Sequence, residues 1–93
     1  MNTPQQPFEP DHLIRLVYAQ YPHRTDVLRA LQLCSGGYWE NQKYIYFISS
    51  RQATLPKIVE SLVLEDQRDG KIVVDVVADG RIAGIGFESR VEQ

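Results

Sequence analysis

The spacing of apolar residues along this chain falls into two regimes, helical up to about residue 36 and alternating beyond it. From Pro10 to Tyr21 the apolar positions Leu13, Leu16, Val17 and Tyr21 recur on a helical stripe, and Pro10-Asp11 supply a helix-compatible proline and a first-turn carboxylate. Pro22 interrupts that stripe. A second stripe, Val27, Ala30, Leu31 and Cys34, follows a Thr25 cap and stops at Gly36-Gly37, so the two segments are expected to form an αα-hairpin.

From Gly37 onward the period is 2. Residues 37–50 have the aromatic and β-branched content of two strands, with Glu40-Asn41-Gln42 as the turn between them. A strand is expected over about 59–66, with a helical turn before it, opened by Thr54 and Pro56, as an open alternative for residues 54–59. A three-residue loop Arg68-Asp69-Gly70 places Leu64 opposite Val74 and Leu62 opposite Val76. A two-residue loop would instead press Glu65 and Gln67 into the apolar face. The stretch from Lys71 to Phe87 carries the strongest signal, a hairpin at Asp79-Gly80. A type I′ turn there pairs Val76 with Ala83, Val74 with Ile85 and Ile72 with Phe87 on a wholly apolar face. Its reverse face pairs Val77 with Ile82, Asp75 with Gly84 and Val73 with Gly86, leaving a shallow gutter that a ring or another backbone is expected to fill.

The predicted fold class is α+β: an N-terminal αα-hairpin packed on an antiparallel β-meander of four to five strands, one domain over residues 10–90. Residues 1–9, polar and carrying Pro4 and Pro7, read as a disordered arm.

Composition narrows the function classes. Ninety-three residues, 43% hydrophobic and 24% charged, suit one core rather than two. Ten Lys plus Arg against twelve Asp plus Glu supply no basic field for a phosphate backbone, so nucleic acid is not expected as a partner. The single cysteine, Cys34, excludes an intrachain disulfide framework and leaves no Cys/His set for structural zinc, which fits a reducing cytoplasm. The first ten residues lack the basic start and apolar run of a signal peptide, and no stretch is apolar for long enough to span a bilayer. No metal or cofactor is expected.

From about Lys43 to Arg90, roughly half of the chain, the order of motifs resembles a small bacterial family, domain-of-unknown-function family 2283. The resemblance is carried by Tyr44-Ile45-Tyr46-Phe47-Ile48, Glu60-Ser61, Ile72-Val73-Val74-Asp75 and the Asp79-Gly80-Arg81-Ile82-Ala83-Gly84-Ile85-Gly86-Phe87 hairpin. Gly86 replaces the glutamate usual after Gly-Ile, and the N-terminal helices are not covered. The resemblance implies no activity; it implies a bacterial protein that sits beside or binds other small proteins, including toxins.

The inventory for catalysis is thin, and no catalytic residue is assigned. Cys34 closes the apolar stripe of the second helix at its C-terminal end, where the helix dipole works against a thiolate, and His12 and His23 read as solvated or capping side chains. Gly84-Ile85-Gly86 leads to a polar end rather than a helix and is no phosphate loop. The residues marked for partner or ligand binding are Trp39, Tyr44, Tyr46 and Asp75. Alternation puts Tyr44 and Tyr46 on one face and Ile45 and Phe47 on the other, so one set must be exposed, covered by helices or buried in a partner. Asp75, mid-strand and opposite Gly84, is either solvent-facing or an acceptor for an Arg, a backbone N–H or a partner group in the gutter. The expected role is a small intracellular interaction protein, a homodimer or a toxin-neutralising or regulatory partner; the alternative is an accessory or sensor domain holding a small ligand between helices and aromatic strands.

Overall fold

Helix α1 spans Asp11–Gln20 and helix α2 Thr25–Gln32, and each buries one stripe, Leu13 and Val17 on α1 and Val27 and Leu31 on α2. The computed structural model describes residues 5–48 and 57–90. Thr25 is the first residue of α2 rather than its cap; Arg24 precedes it, and no side chain caps either helix start. Gly36-Gly37 do not stop α2, which ends before Leu33; they already open a strand.

Six strands follow the order β1 (Gln6–Pro7), β2 (Gly36–Asn41), β3 (Tyr44–Tyr46), β4 (Ile58–Asp66), β5 (Gly70–Val77) and β6 (Ile82–Phe87). The fold is α+β with an antiparallel sheet, but that sheet is not a meander. Its spatial order is β1-β2-β3-β6-β5-β4, so β3 lies beside the last strand and the chain from β3 to β4 crosses to the far edge, as in a Greek key. The register gives the reason: Tyr44 pairs with Gly86 and Tyr46 with Gly84, and the Tyr44 ring lies over both side-chainless positions of β6. The expected helical turn before β4 falls largely on residues outside those described.

The arm is a further correction. Gln6 and Pro7 pair with Gly37 and Gly36, the Phe8 N–H donates to the Ser35 carbonyl at 3.0 Å, and the Phe8 ring meets Phe47 edge-on at 5.2 Å. A polar composition did not keep residues 6–8 frayed, because one aromatic anchor and a short ladder hold them.

Both hairpin registers depart from expectation without turning any core residue to water. In β4–β5 the pairs are Leu64 with Ile72 and Leu62 with Val74, a slip of two residues. The three-residue loop moves back by one, onto Gln67-Arg68-Asp69, where the Asp66 carboxylate accepts the Asp69 N–H at 2.9 Å and Gly70, at φ 69°, takes the left-handed position. In β5–β6 the turn is not type I′, since Gly80 alone has positive φ (91°) there; Asp79 instead accepts the Arg81 N–H at 3.0 Å, and Ala78-Asp79-Gly80 form a three-residue loop closed by Val77 and Arg81. The extra loop residue is cancelled by a bulge that leaves Ala83 unpaired. Val76 therefore meets Ile82, while Asp75–Gly84, Val74–Ile85, Val73–Gly86 and Ile72–Phe87 pair as expected.

The core lies between the helices and one face of the sheet. Ile45, Leu62, Leu64, Ile72, Val74, Val76, Ile82, Ile85 and Phe87 pack there against Leu13, Val17, Val27, Leu31 and Cys34. The free edge of β4 is covered by the end of α1. The Gln20 side-chain amide donates to the Glu65 carbonyl at 2.7 Å and accepts its N–H at 2.9 Å, and the Tyr21 hydroxyl donates to the Val63 carbonyl at 2.7 Å. Arg24 adds a two-pronged contact to Glu60 at 2.5 and 2.6 Å.

Candidate functional site

The sheet face turned away from the helices carries Tyr44, Ser61, Val63, Val73, Asp75, Gly84 and Gly86, which follows from strand alternation once their neighbours Ile45, Leu62, Leu64, Ile72, Val74 and Ile85 are in the core. Strand β6 is bare here, and the Tyr44 ring lies in the gap. A Cβ built on Gly84 would stand 2.5 Å from Tyr44 Cε1 and Cζ, whereas one on Gly86 would reach Tyr44 Cδ2 at an ordinary 3.4 Å. The gutter is thus filled by a side chain of the same chain.

Across β6 the Tyr44 hydroxyl donates to Asp75 Oδ2 at 2.8 Å, and from β4 the Ser61 hydroxyl donates to Asp75 Oδ1 at 2.7 Å. Asp75 is half-buried, and the three side chains form one polar line across four strands. Burial, and after it the bond to Asp75, pushes the Tyr44 phenol well above its ordinary range, so it stays a donor at neutral pH. The line borders a groove of about 650 Å³ whose lining also includes Lys43, Val73 and Glu88. Such an arrangement can accept a cation or hydrogen-bond donor at Asp75.

The four residues marked from the sequence divide between two faces. Tyr44, Tyr46 and Asp75 share the outer face, where Tyr46 stacks on Tyr38 with ring centroids 6.0 Å apart. Trp39 does not join them. It pairs with Ile45, and its indole lies 5.8 Å from the Phe87 ring at the margin of the core, beside Arg90, whose guanidinium sits 3.9 Å over Phe87 and 3.2 Å from Asp69. The reason is alternation: Tyr38 and Trp39 are consecutive and must point oppositely.

Ser61 was missed because of the two-residue slip in β4–β5: the expected register sets Val63 opposite Asp75, whereas the observed one sets Ser61 there. The other reactive side chains stand apart. His12 lies on α1 and contacts Asp66 at 2.9 Å, His23 is exposed between the helices, and Cys34 is buried, its thiol 3.5 Å from the Ala30 carbonyl and pushed up to about 12 by desolvation. Among the described residues no cluster of three or more His, Cys, Asp or Glu is placed to hold a metal ion, and no helix is long and apolar enough to cross a membrane.

Comparison with protein-family models, with curated proteins and with solved structures found no match.

Proposed function

We propose that this chain is a small protein-interaction module of the bacterial cytoplasm, a toxin-neutralising or regulatory partner that acts by covering another protein, or a second copy of itself, with the outer face of its sheet. The observation that carries this reading is the one-sided placement of the helices. Both pack on one face, and the opposite face presents Tyr46 stacked on Tyr38, with Val63 and Val73 flanking the Tyr44–Asp75–Ser61 line. A mixed surface of aromatic, aliphatic and satisfied polar groups has the make-up of a non-obligate interface. Ile58 and Val59, at 46% and 60% exposure, extend the apolar area along β4.

The experiment is light scattering over a wide concentration range, with affinity capture from a bacterial host, on the parent and on Tyr46→Arg and Leu33→Arg. Leu33, 81% exposed at the end of α2, serves as the control. The expected result is a dimer or a captured partner lost in Tyr46→Arg and kept in Leu33→Arg. A strict monomer that captures nothing, or equal loss in both variants, overturns the reading.

A second reading, a ligand-binding accessory domain, draws on a cavity of about 450 Å³ between α2 and the end of β3, lined by Ala30, Leu33, Cys34, Phe47 and Ile82 with Arg29 and Arg81. Thermal-shift screening of small metabolites tests it; stabilisation that a bulky residue at Ala30 removes would favour it over the interaction module.

A further inference from the structure

Asp75 differs in one respect from every other half-buried carboxylate among the described residues. Glu60 is met by Arg24 at 2.5 Å, Asp66 by His12 at 2.9 Å and Asp69 by Arg90 at 3.2 Å. Among the described residues no basic side chain meets Asp75; its two oxygens accept only the hydroxyls of Tyr44 and Ser61, at 2.8 and 2.7 Å. A carboxylate offers about four lone-pair sites, so half of its capacity remains unused in the outer groove that it lines.

That free capacity constrains whatever covers the face. An apolar surface laid over the groove would strip water from an ionised carboxylate and give nothing back, a loss that hydroxyl donors offset only in part. A donor is needed at that spot, and a cationic one both fills the free lone pairs and balances the charge. The surroundings select among cations: Tyr44 offers an aromatic wall, and Glu88 is a second acceptor in the same lining, held only loosely by Lys71 at 3.6 Å. A planar guanidinium with five donors matches a carboxylate beside an aromatic ring better than a compact, strongly hydrated ammonium does. Lys43, also in the lining, repels a run of positive charges and so limits the occupant to a single cation.

We propose that the outer groove is the docking site for one arginine side chain of a partner protein, its guanidinium paired with Asp75 beside the Tyr44 ring. This rests on the outer face being the covered one. The site itself is measured without any partner, so a failure here is separable from a failure of the interaction reading.

The probe is N-acetyl-arginine-methylamide, with the neutral isostere N-acetyl-citrulline-methylamide as control, titrated into the full chain while backbone amide shifts are followed by NMR. Asp75→Asn keeps one oxygen to accept from one of the two hydroxyls and an NH2 that donates to the other, which retains the fold, and Ser61→Ala leaves the carboxylate intact. The expected result is saturable shifts centred on Asp75, Gly84 and Gly86, about tenfold weaker binding for citrulline and for Asp75→Asn, and undiminished binding in Ser61→Ala. Equal binding of arginine and citrulline, shifts scattered over exposed carboxylates such as Glu9 and Glu40, or indifference to Asp75→Asn overturns the proposal. A dimer abolished by Asp75→Asn with no probe binding also overturns it, assigning the groove to a second copy.

Discussion

Tyr44 and Asp75 meet across a strand that neither belongs to: the phenol on β3 reaches the carboxylate on β5 at 2.8 Å because the intervening strand has glycine at positions 84 and 86. The bond exists only while β6 remains bare on that face. Packing, polar satisfaction and the candidate docking groove therefore depend above all on the missing side chain at Gly84.

The two glycines are expected to respond differently to a methyl group. Gly84→Ala places a Cβ against Tyr44 ring atoms at 2.5 Å and should cost about 1–3 kcal/mol by overpacking. Gly86→Ala meets Tyr44 at 3.4 Å and should be neutral within about 0.5 kcal/mol. Urea denaturation of both, and of Gly84→Ala combined with Tyr44→Ala, checks this; the combined variant should show a coupling of about 1 kcal/mol or more.

Gln20 works as a substitute strand partner for β4, giving and receiving a backbone hydrogen bond at Glu65. Gln20→Glu removes the donor and sets an acceptor against the carbonyl, with an expected loss of about 1–2 kcal/mol. It also uncovers the strand edge, so concentration-dependent light scattering should rise relative to the parent.

Asp66 holds the β4–β5 turn. Its carboxyl is kept below the usual range first by the Asp69 N–H and then by His12, and its side chain is only 6% exposed. A lowered native value means that the unfolded chain binds the proton more readily. This contribution is fully present above the ordinary carboxylate pKa and fades as pH falls through the lowered value, below about pH 4. Asp66→Ala should cost about 1–2 kcal/mol at neutral pH and flatten the fall in stability with acid. Midpoints of urea unfolding against pH measure both effects.

Cys34 is buried, with its thiol pushed up to about 12. Labelling by a disulfide reagent at mildly alkaline pH should therefore be slow in the native protein, rapid in denaturant, and set by opening of the α2–sheet contact rather than by reagent concentration. Fast stoichiometric labelling without denaturant would contradict the burial.

Much of the element pattern was legible because it is written in local spacing. The stripe Leu13, Leu16, Val17, Tyr21 and the alternation Ile72, Val74, Val76 against Val73, Asp75 dictate which elements form and which side is apolar, and β4 appears at Ile58–Asp66 where a strand over 59–66 was expected. Side survives errors of register: a slip of two residues in β4–β5 still buries Leu62 and Leu64, and a longer loop at Gly80 is undone by the bulge at Ala83.

What the chain determined by itself, then, is the α+β content, the apolar face of each element and the presence of a gutter at Gly84 and Gly86, since these follow from interactions between near neighbours. Only the tertiary structure decided that β3 lies against β6, that Tyr44 occupies the gutter, that Ser61 rather than Val63 stands beside Asp75, and that Trp39 turns toward Phe87. Each of those outcomes compares pairings between distant segments whose local patterns are equivalent, and the comparison is settled by which rings, glycines and hydroxyls fit together in space.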